Sequence, residues 1–223
     1  MYVRRYYRYI YLDYSWNSTD LNFWLSKILK PWPLEHQAKL LFLLYGPVCS
    51  DKIQWFELLE NIPEGYSEAS RKLTGLAYII QLMQEWNENR IISILEEITH
   101  TPEMWLPENI AILLLICGDA VTEMFMGNKL LNRKMSELTC LVVYLAMACK
   151  RCGYHQTWLV QAIDKACRMS KNEKDRQEFI QMIPAAFEEI ITEIKDGGSE
   201  WDLEIIIEAR ISFFSVIIKR AFC

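Results

Sequence analysis

The 223-residue sequence predicts an all-α fold, and three observations carry that reading. Glycine (8) and proline (7) are scarce, 52% of the residues are apolar, and the apolar positions recur every three or four residues along most of the chain. Sandwiches, barrels and propellers need more chain-reversing residues than this. Neither strict two-residue alternation nor an Asn-Gly hairpin is present to support a sheet. At this length roughly 70% of the unfolded chain's surface leaves water on folding, so stability requires neither a disulfide nor a metal staple.

The first clear helix is Thr19 to Lys30, with Ser18, Thr19 and Asp20 as capping candidates and Pro31-Trp32-Pro33 as its stop. Pro33 starts a second helix. There Leu34, Ala38, Leu41, Phe42 and Tyr45 keep helical spacing, and Leu40, Leu43 and Leu44 widen the apolar side, which marks this helix as central. Gly46-Pro47 ends it, glycine being expected in the left-handed position after the last turn. Gln54 to Leu59 is a short segment, and Asn61 to Gly65 is a break. Leu73, Leu76, Ala77, Ile80 and Met83 then trace one helical face down to Trp86, and Asn87 is the cap for Glu88 to Ile98. Thr101-Pro102-Glu103 has the cap, first-turn proline and first-turn acid of a helix start. Pro107 interrupts that start, so the long helix here is Pro107 to Cys117, and Gly118-Asp119 opens a short one ending near Asn128.

From Met135, the residues Leu138, Leu141, Val142, Leu145, Ala148 and Cys149 follow one apolar face without a miss, and Gly153 closes that helix. Gln156 to Met169 is the next. Ser170-Lys171-Asn172-Glu173 reads as a capping box, in which the serine and glutamate side chains each satisfy an unpaired first-turn amide. The helix behind it carries Phe179, Ile183, Ala186, Phe187, Ile190 and Ile194, is expected to kink at Pro184, and ends at Gly197-Gly198. Ser199 to Asp202 opens the last helix, whose polar stripe is Glu204, Glu208, Ser212, Ser215 and Lys219. Its wide apolar arc has two readings: it is sandwiched between neighbouring helices, or it faces a partner.

Successive helix pairs take about 30 to 40 residues each, the scale of armadillo and HEAT repeats, although no consensus recurs. The expected architecture is therefore an array of irregular stacked helical hairpins, armadillo/HEAT-like, with about ten to twelve helices. No Gly/Ser-rich linker divides it. Residues 1–223 read as a single helical interaction domain: a leading helix over 1–18, a core over 19–196 and a terminal amphipathic helix over 199–223.

Charge and motifs narrow the function. The 24 basic against 29 acidic residues give −5, so the chain as a whole lacks the basic field that coating nucleic acid requires. The mid-chain charge-free run Leu138 to Cys149 is shorter than the roughly 18 apolar residues of a membrane span. Charge and aromatics stand at the N-terminus where a signal peptide has its apolar core, and the seven cysteines, an odd number set mostly among Leu, Val and Ala, read as reduced core residues; an intracellular protein is expected.

The three histidines form no HExxH pair, and there is no GxxxxGK[ST], GxGxxG or GxSxG motif. Cys149 and Cys152 with His155 have ligand-like spacing, but a structural zinc site needs a fourth ligand, so they read as core and helix-end residues, with a redox-sensitive thiol pair as the other reading. Glu96-Glu97 and Glu188-Glu189 are adjacent on helices and point apart, as on solvated faces. No catalytic residue, cofactor or metal is therefore expected. The candidate partner-binding residues are Arg4, Arg5, Arg8, Tyr2 and Tyr9 of the leading segment, where Tyr6, Tyr7 and Tyr11 also interleave. Cations beside stacking rings suit single-stranded nucleic acid, and an amphipathic helix with snorkelling arginines explains the same residues.

The stretch Phe23-Trp24-Leu25-Ser26-Lys27-Ile28-Leu29-Lys30-Pro31-Trp32-Pro33, followed by Gln37-Ala38-Lys39-Leu40-Leu41 and Tyr45-Gly46-Pro47, resembles the C-terminal region of the F-box only protein 47 family of F-box proteins. The likeness continues through Trp105-Leu106, Phe125-Met126, Leu141 to Ala146, Trp158 and Phe179 to Phe187, and covers roughly Tyr6 to Ile194. The resemblance implies an adaptor of Skp1–cullin (SCF) ubiquitin ligases, in which an F-box docks on Skp1 and the region behind it presents a client, with links to germ cells and meiotic chromosomes. The F-box itself is absent from these residues, and the chain begins where the family is already mid-domain, as a truncated gene model, isoform or paralogue would. The implied partners are a protein client, and Skp1–cullin only where an upstream F-box is supplied; neither membrane nor nucleic acid is expected. The implied location is the nucleus. The alternative is a helical scaffold at chromosomes or telomeres with no ubiquitin role.

Overall fold

Among the residues described by the computed structural model, 1–13, 17–83, 86–197 and 200–221, twelve α-helices carry most of the chain. They fall into two units: Met1–Pro63 with Ser67–Cys117, and Glu64–Tyr66 with Gly118–Cys223. The all-α array expected from composition and periodicity is the fold observed.

The first unit begins with α1 (Tyr2–Tyr7), which runs into a π-helical turn over Arg8–Leu12. In α2 (Ser18–Leu29) the cap is Asn17, whose side chain accepts from the Asp20 amide at 2.8 Å. Leu21, Leu25 and Leu29 of α2 are buried. The central helix is α3 (Leu34–Tyr45), which packs against α6 (Glu88–Ile98) and buries Ala38, Leu41, Phe42 and Leu44. Gly46 departs from expectation: its backbone is extended (φ −65°, ψ 170°), not left-handed. Glycine is needed there for closeness, since a Cβ would lie 2.5 Å from the Phe42 carbonyl oxygen.

A two-residue antiparallel ribbon follows, β1 (Val48–Cys49) with β2 (Lys52–Ile53), pairing Val48 with Ile53. Its turn places Ser50 and Asp51 at φ 48° and 62°. That is the positive-φ pair a tight hairpin needs, here built without the Asn-Gly dipeptide that would have announced it. The remaining helices of this unit are α4 (Glu57–Glu60), α5 (Tyr66–Leu82, from Ser67 on) and α7 (Pro107–Cys117). Lys72 of α5 is buried and bonds Glu57 of α4 at 2.8 Å and Glu68 at 2.6 Å.

Thr101-Pro102-Glu103 opens no helix; residues 101–106 are irregular and the Thr101–Pro102 bond is cis. Thr101 instead closes the helix before it, its Oγ1 donating to the Glu97 carbonyl at 2.9 Å. The buried Trp105 then folds back, Nε1 donating to the Thr101 carbonyl at 2.8 Å and its ring meeting Phe42 at 5.9 Å.

The second unit contains α8 (Asp119–Leu131), α9 (Met135–Cys152), α10 (Gln156–Met169), α11 (Glu173–Gly197) and α12 (Glu200–Ala221). α9 is its axis and packs against α11 and α12, while α8 packs against α10. The bounds of α9 and α10 are those the periodicity predicts, with Gly153 left-handed at φ 72°. α8 runs three residues past the expected Asn128. The capping box is not formed: α11 starts at Glu173, the Asn172 side chain accepts from the Lys174 amide at 3.1 Å, and Ser170 Oγ accepts from Asn172 instead. α11 continues through Pro184. Gly198, Ser199 and Cys223 lie outside the described residues. The last helix is packed between its neighbours on one side and open to solvent on another. Ile205, Ile206, Ala209 and Phe213 are buried, while Ile207, Ile211 and Ile218 are exposed.

Candidate interaction surface

The leading segment divides its candidate residues between inside and outside. Arg4 Nη1 donates to the Leu43 and Gly46 carbonyls at 3.0 and 3.1 Å, satisfying the unpaired carbonyl end of α3. Arg8 bonds Asp13 at 2.9 Å, reaches the Leu44 carbonyl at 3.5 Å and lies over the Tyr45 ring at 5.2 Å. Burial and the neighbouring Arg8 lower the Arg4 pKa, and burial raises that of the Tyr45 phenol. Arg5 pairs with Asp51 in solvent. Tyr2 and Tyr9, by contrast, are exposed, and Tyr6 beside them is half exposed. All five candidates line one open hollow of about 670 Å³ on the leading segment, although they serve it differently: two arginines also hold the end of a helix, and two tyrosines face water.

Behind this segment the aromatic contacts continue onto α2. Tyr6 meets Tyr11 at 6.2 Å, Tyr11 meets Trp24 at 4.9 Å, and Trp24 meets Phe23 at 5.3 Å. Phe23 (52%) and Trp24 (37%) are exposed on the outward side of α2, together with Lys27 and Lys30. Lys27 Nζ lies 5.5 Å from the Phe23 ring centre. Lys30 Nζ and the Arg90 guanidinium lie 5.3 and 5.9 Å from the ring of Trp86, whose Nε1 donates to Asn22 at 2.5 Å. The sequence announces Phe23 and Trp24 only as part of a family-like block; that they lie outside the core is visible only in three dimensions.

In the second unit a groove of about 610 Å³ lies between α10, α11 and α12, walled by Ile163, Ile180, Pro184, Phe214 and Ile217, with the Asp164–Arg220 pair (2.5 Å) among its lining. Cys149 is buried and its thiol is pushed up to about 12, by burial first and Cys152 second; burial also raises Cys152. Raised thiols are the reverse of an activated redox pair. His155 caps α10, its Nδ1 accepting from the Thr157 amide at 3.1 Å. Among the described residues no cluster of three or more His, Cys, Asp or Glu is placed to hold a metal, and no helix is long and apolar enough to cross a membrane. Glu188 pairs with Arg210 at 2.5 Å on the surface.

Comparison with known proteins agrees with the helical array. A family model described as FBXO47, ARM repeats, matches residues 1–206. Human F-box only protein 47 is 34% identical over 226 aligned residues, covering 98% of this chain and 49% of the human protein. The mouse protein of the same name is 35% identical over 192, covering 83% of this chain and 42% of its own length. The chain thus spans about half the length of the curated relatives it matches. No solved structure matches.

Proposed function

The chain belongs to the F-box only protein 47 family through its armadillo-repeat region, and from that premise we propose that it is the client-presenting part of a ubiquitin-ligase adaptor. The observation that carries the reading is the match of the repeat model to residues 1–206, most of the helical array. Stacked helices present long solvent-facing surfaces built from rigid elements, which suits holding another protein and calls for no reacting group. The role is non-catalytic: this region grips a client, and an F-box elsewhere supplies the Skp1–cullin contact. Meiotic chromosomes and a nuclear location follow from the family resemblance as the setting. Within the leading segment, Tyr2 and Tyr9 are the most exposed rings and would meet a partner, and Arg4, Arg5 and Arg8 support them.

The test is a pull-down with purified Skp1 and with germ-cell extract. It compares this chain alone with the same chain joined to the F-box-bearing half of the human relative. The expected result is Skp1 on the joined form only and one shared set of client proteins on both. Skp1 on neither form, with clients retained, replaces the ligase role with a chromosome-associated scaffold. No protein specifically held by either form overturns the interaction reading.

A further inference from the structure

We propose that the outward face of α2, with Trp86 and Arg90 beside it, is a docking surface for an acidic, apolar-rich segment of a partner protein; this deepens and rests on the interaction reading above. Two kinds of side chain meet there. Phe23 and Trp24 expose large ring surface, and exposed aromatic patches of this kind mark interaction sites in proteins. Lys27, Lys30 and Arg90 stand against the rings of Phe23 and Trp86, and among the described residues none of the three is paired with a carboxylate.

Charge identifies the occupant. The chain carries −5 overall, yet α2 has a single carboxylate, Asp20, a turn before Phe23. Among the described residues, many cations elsewhere are engaged with carboxylates: Arg5 with Asp51, Lys39 with Glu35, Lys72 with two glutamates, Arg220 with Asp164. The α2 face is a local reversal of the general balance.

Single-stranded nucleic acid would also seek rings and cations, and the geometry disfavours it. Bases stack on open ring faces. Here Trp86 already carries two cations, Phe23 carries Lys27 and an edge contact from Trp24, and Trp24 is packed by Tyr11. Ammonium groups held on a ring keep N–H donors directed outward, which suits carboxylates approaching from a peptide. A segment with Asp or Glu opposite Lys27, Lys30 and Arg90, and Phe or Leu opposite Phe23 and Trp24, satisfies both halves of the surface.

The experiment pans the full chain against a display library of random short peptides, then measures the enriched peptides by fluorescence anisotropy. The variants are Lys27→Glu/Lys30→Glu and the charge-keeping Lys27→Arg/Lys30→Arg, with circular dichroism melts to show that both are folded. Lys27 and Lys30 are exposed, so neither change disturbs the core. The expected peptides combine Asp or Glu with large apolar residues, bind about tenfold or more weakly to the reversed variant, keep their affinity for the arginine variant and weaken with salt. An oligothymidylate does not displace them. Neutral or basic winners, no enrichment, or oligothymidylate bound in their place overturns the proposal. Winners indifferent to the reversal also overturn this surface while leaving the interaction reading intact, because that reading stands or falls on the pull-down.

Discussion

In the second unit, α9 buries eleven of its eighteen residues and its neighbours lie along its length as stripes of Leu, Val, Ile, Ala and Phe. The first unit is held differently. Between α3 and α5, apart from the single turn of α4, and again between α6 and α7, the chain leaves helical geometry, and side chains, most of them distant in sequence, take up carbonyls there and at helix ends. Asn109 Nδ2 donates to the Leu58 and Asn61 carbonyls, both at 2.8 Å, across about fifty residues of chain. Arg4 serves the end of α3, Gln81 the Cys117 carbonyl at 2.9 Å, and Trp105 the Thr101 carbonyl. The contrast follows from backbone chemistry. A helix satisfies its own polar groups, so apolar stripes alone can position it, whereas each buried irregular segment needs a donor brought from elsewhere.

The largest effect that tests this contrast comes from the biggest side chain in each core. Trp105→Ala removes both a buried ring and the donor to Thr101, and Phe187→Ala removes a ring backed by Phe213 and Phe214 at 5.8 and 5.7 Å, which can close over part of the space. Both substitutions fall in the range of about 3–5 kcal/mol for large aromatics, with Trp105→Ala expected at the upper end and Phe187→Ala at the lower. Urea unfolding followed by circular dichroism measures both. A Phe187→Ala loss equal to that of Trp105→Ala would mean that the donor bond adds nothing, and the contrast would fail at its strongest point.

Polar hooks are compared next, at smaller cost. Asn109→Ala strips two carbonyls of a donor and leaves Asn61 without a replacement, while Leu58 keeps the Leu106 amide at 3.1 Å. A loss of about 2 kcal/mol is expected. Gln156 in the second unit is equally buried but donates only to the Ala146 carbonyl at 2.8 Å, an oxygen inside α9 that the helix already satisfies. Gln156→Ala should cost about 1 kcal/mol. The same unfolding curves decide it, and a reversal of the two would show that the irregular segments of the first unit do not depend on their hooks.

The same contrast explains what could be read from the sequence. Glu88–Ile98, Pro107–Cys117, Met135–Cys152 and Gln156–Met169 were legible to the residue because local signals mark them: the Asn87 cap, Pro107, Gly153 and the unbroken apolar period that starts at Met135. Thr101-Pro102-Glu103 misled, because its helix-start residues were taken over by contacts to Glu97 and Trp105 that no local pattern encodes. The Ser50-Asp51 turn misled because positive φ was adopted by residues other than glycine or asparagine. The candidate surface was half legible. The Arg/Tyr interleaving of the leading segment was visible, but its division into inward Arg4 and Arg8 and outward Tyr2 and Tyr9 depends on where α3 ends in space. Phe23 and Trp24 stood out only as part of the family-like block, since exposure of an aromatic residue leaves no mark on its spacing.

The smallest expected effect at neutral pH is that of Lys72, and it sharpens the contrast through its pH dependence. Burial on its own would lower the Lys72 pKa, but hydrogen bonds to Glu57 and Glu68 outweigh it and raise the pKa above the ordinary lysine value. A raised folded-state pKa means that the stabilising contribution is complete below the unfolded lysine value and is lost as pH rises through the folded one. Lys72→Met replaces the ion cluster with an apolar side chain of similar length and lets both glutamates, which retain some exposure, return to water. Such replacements are close to neutral, so the change at pH 7 should stay within about 1 kcal/mol. Thermal melts between about pH 9 and 12 then separate the two chains: the wild type should lose stability more steeply than Lys72→Met, because only the wild type must give up a bound ammonium. Parallel slopes would show that the cluster carries no net charge-linked stability, and that α4 is held to α5 by apolar contact, in the manner of the second unit.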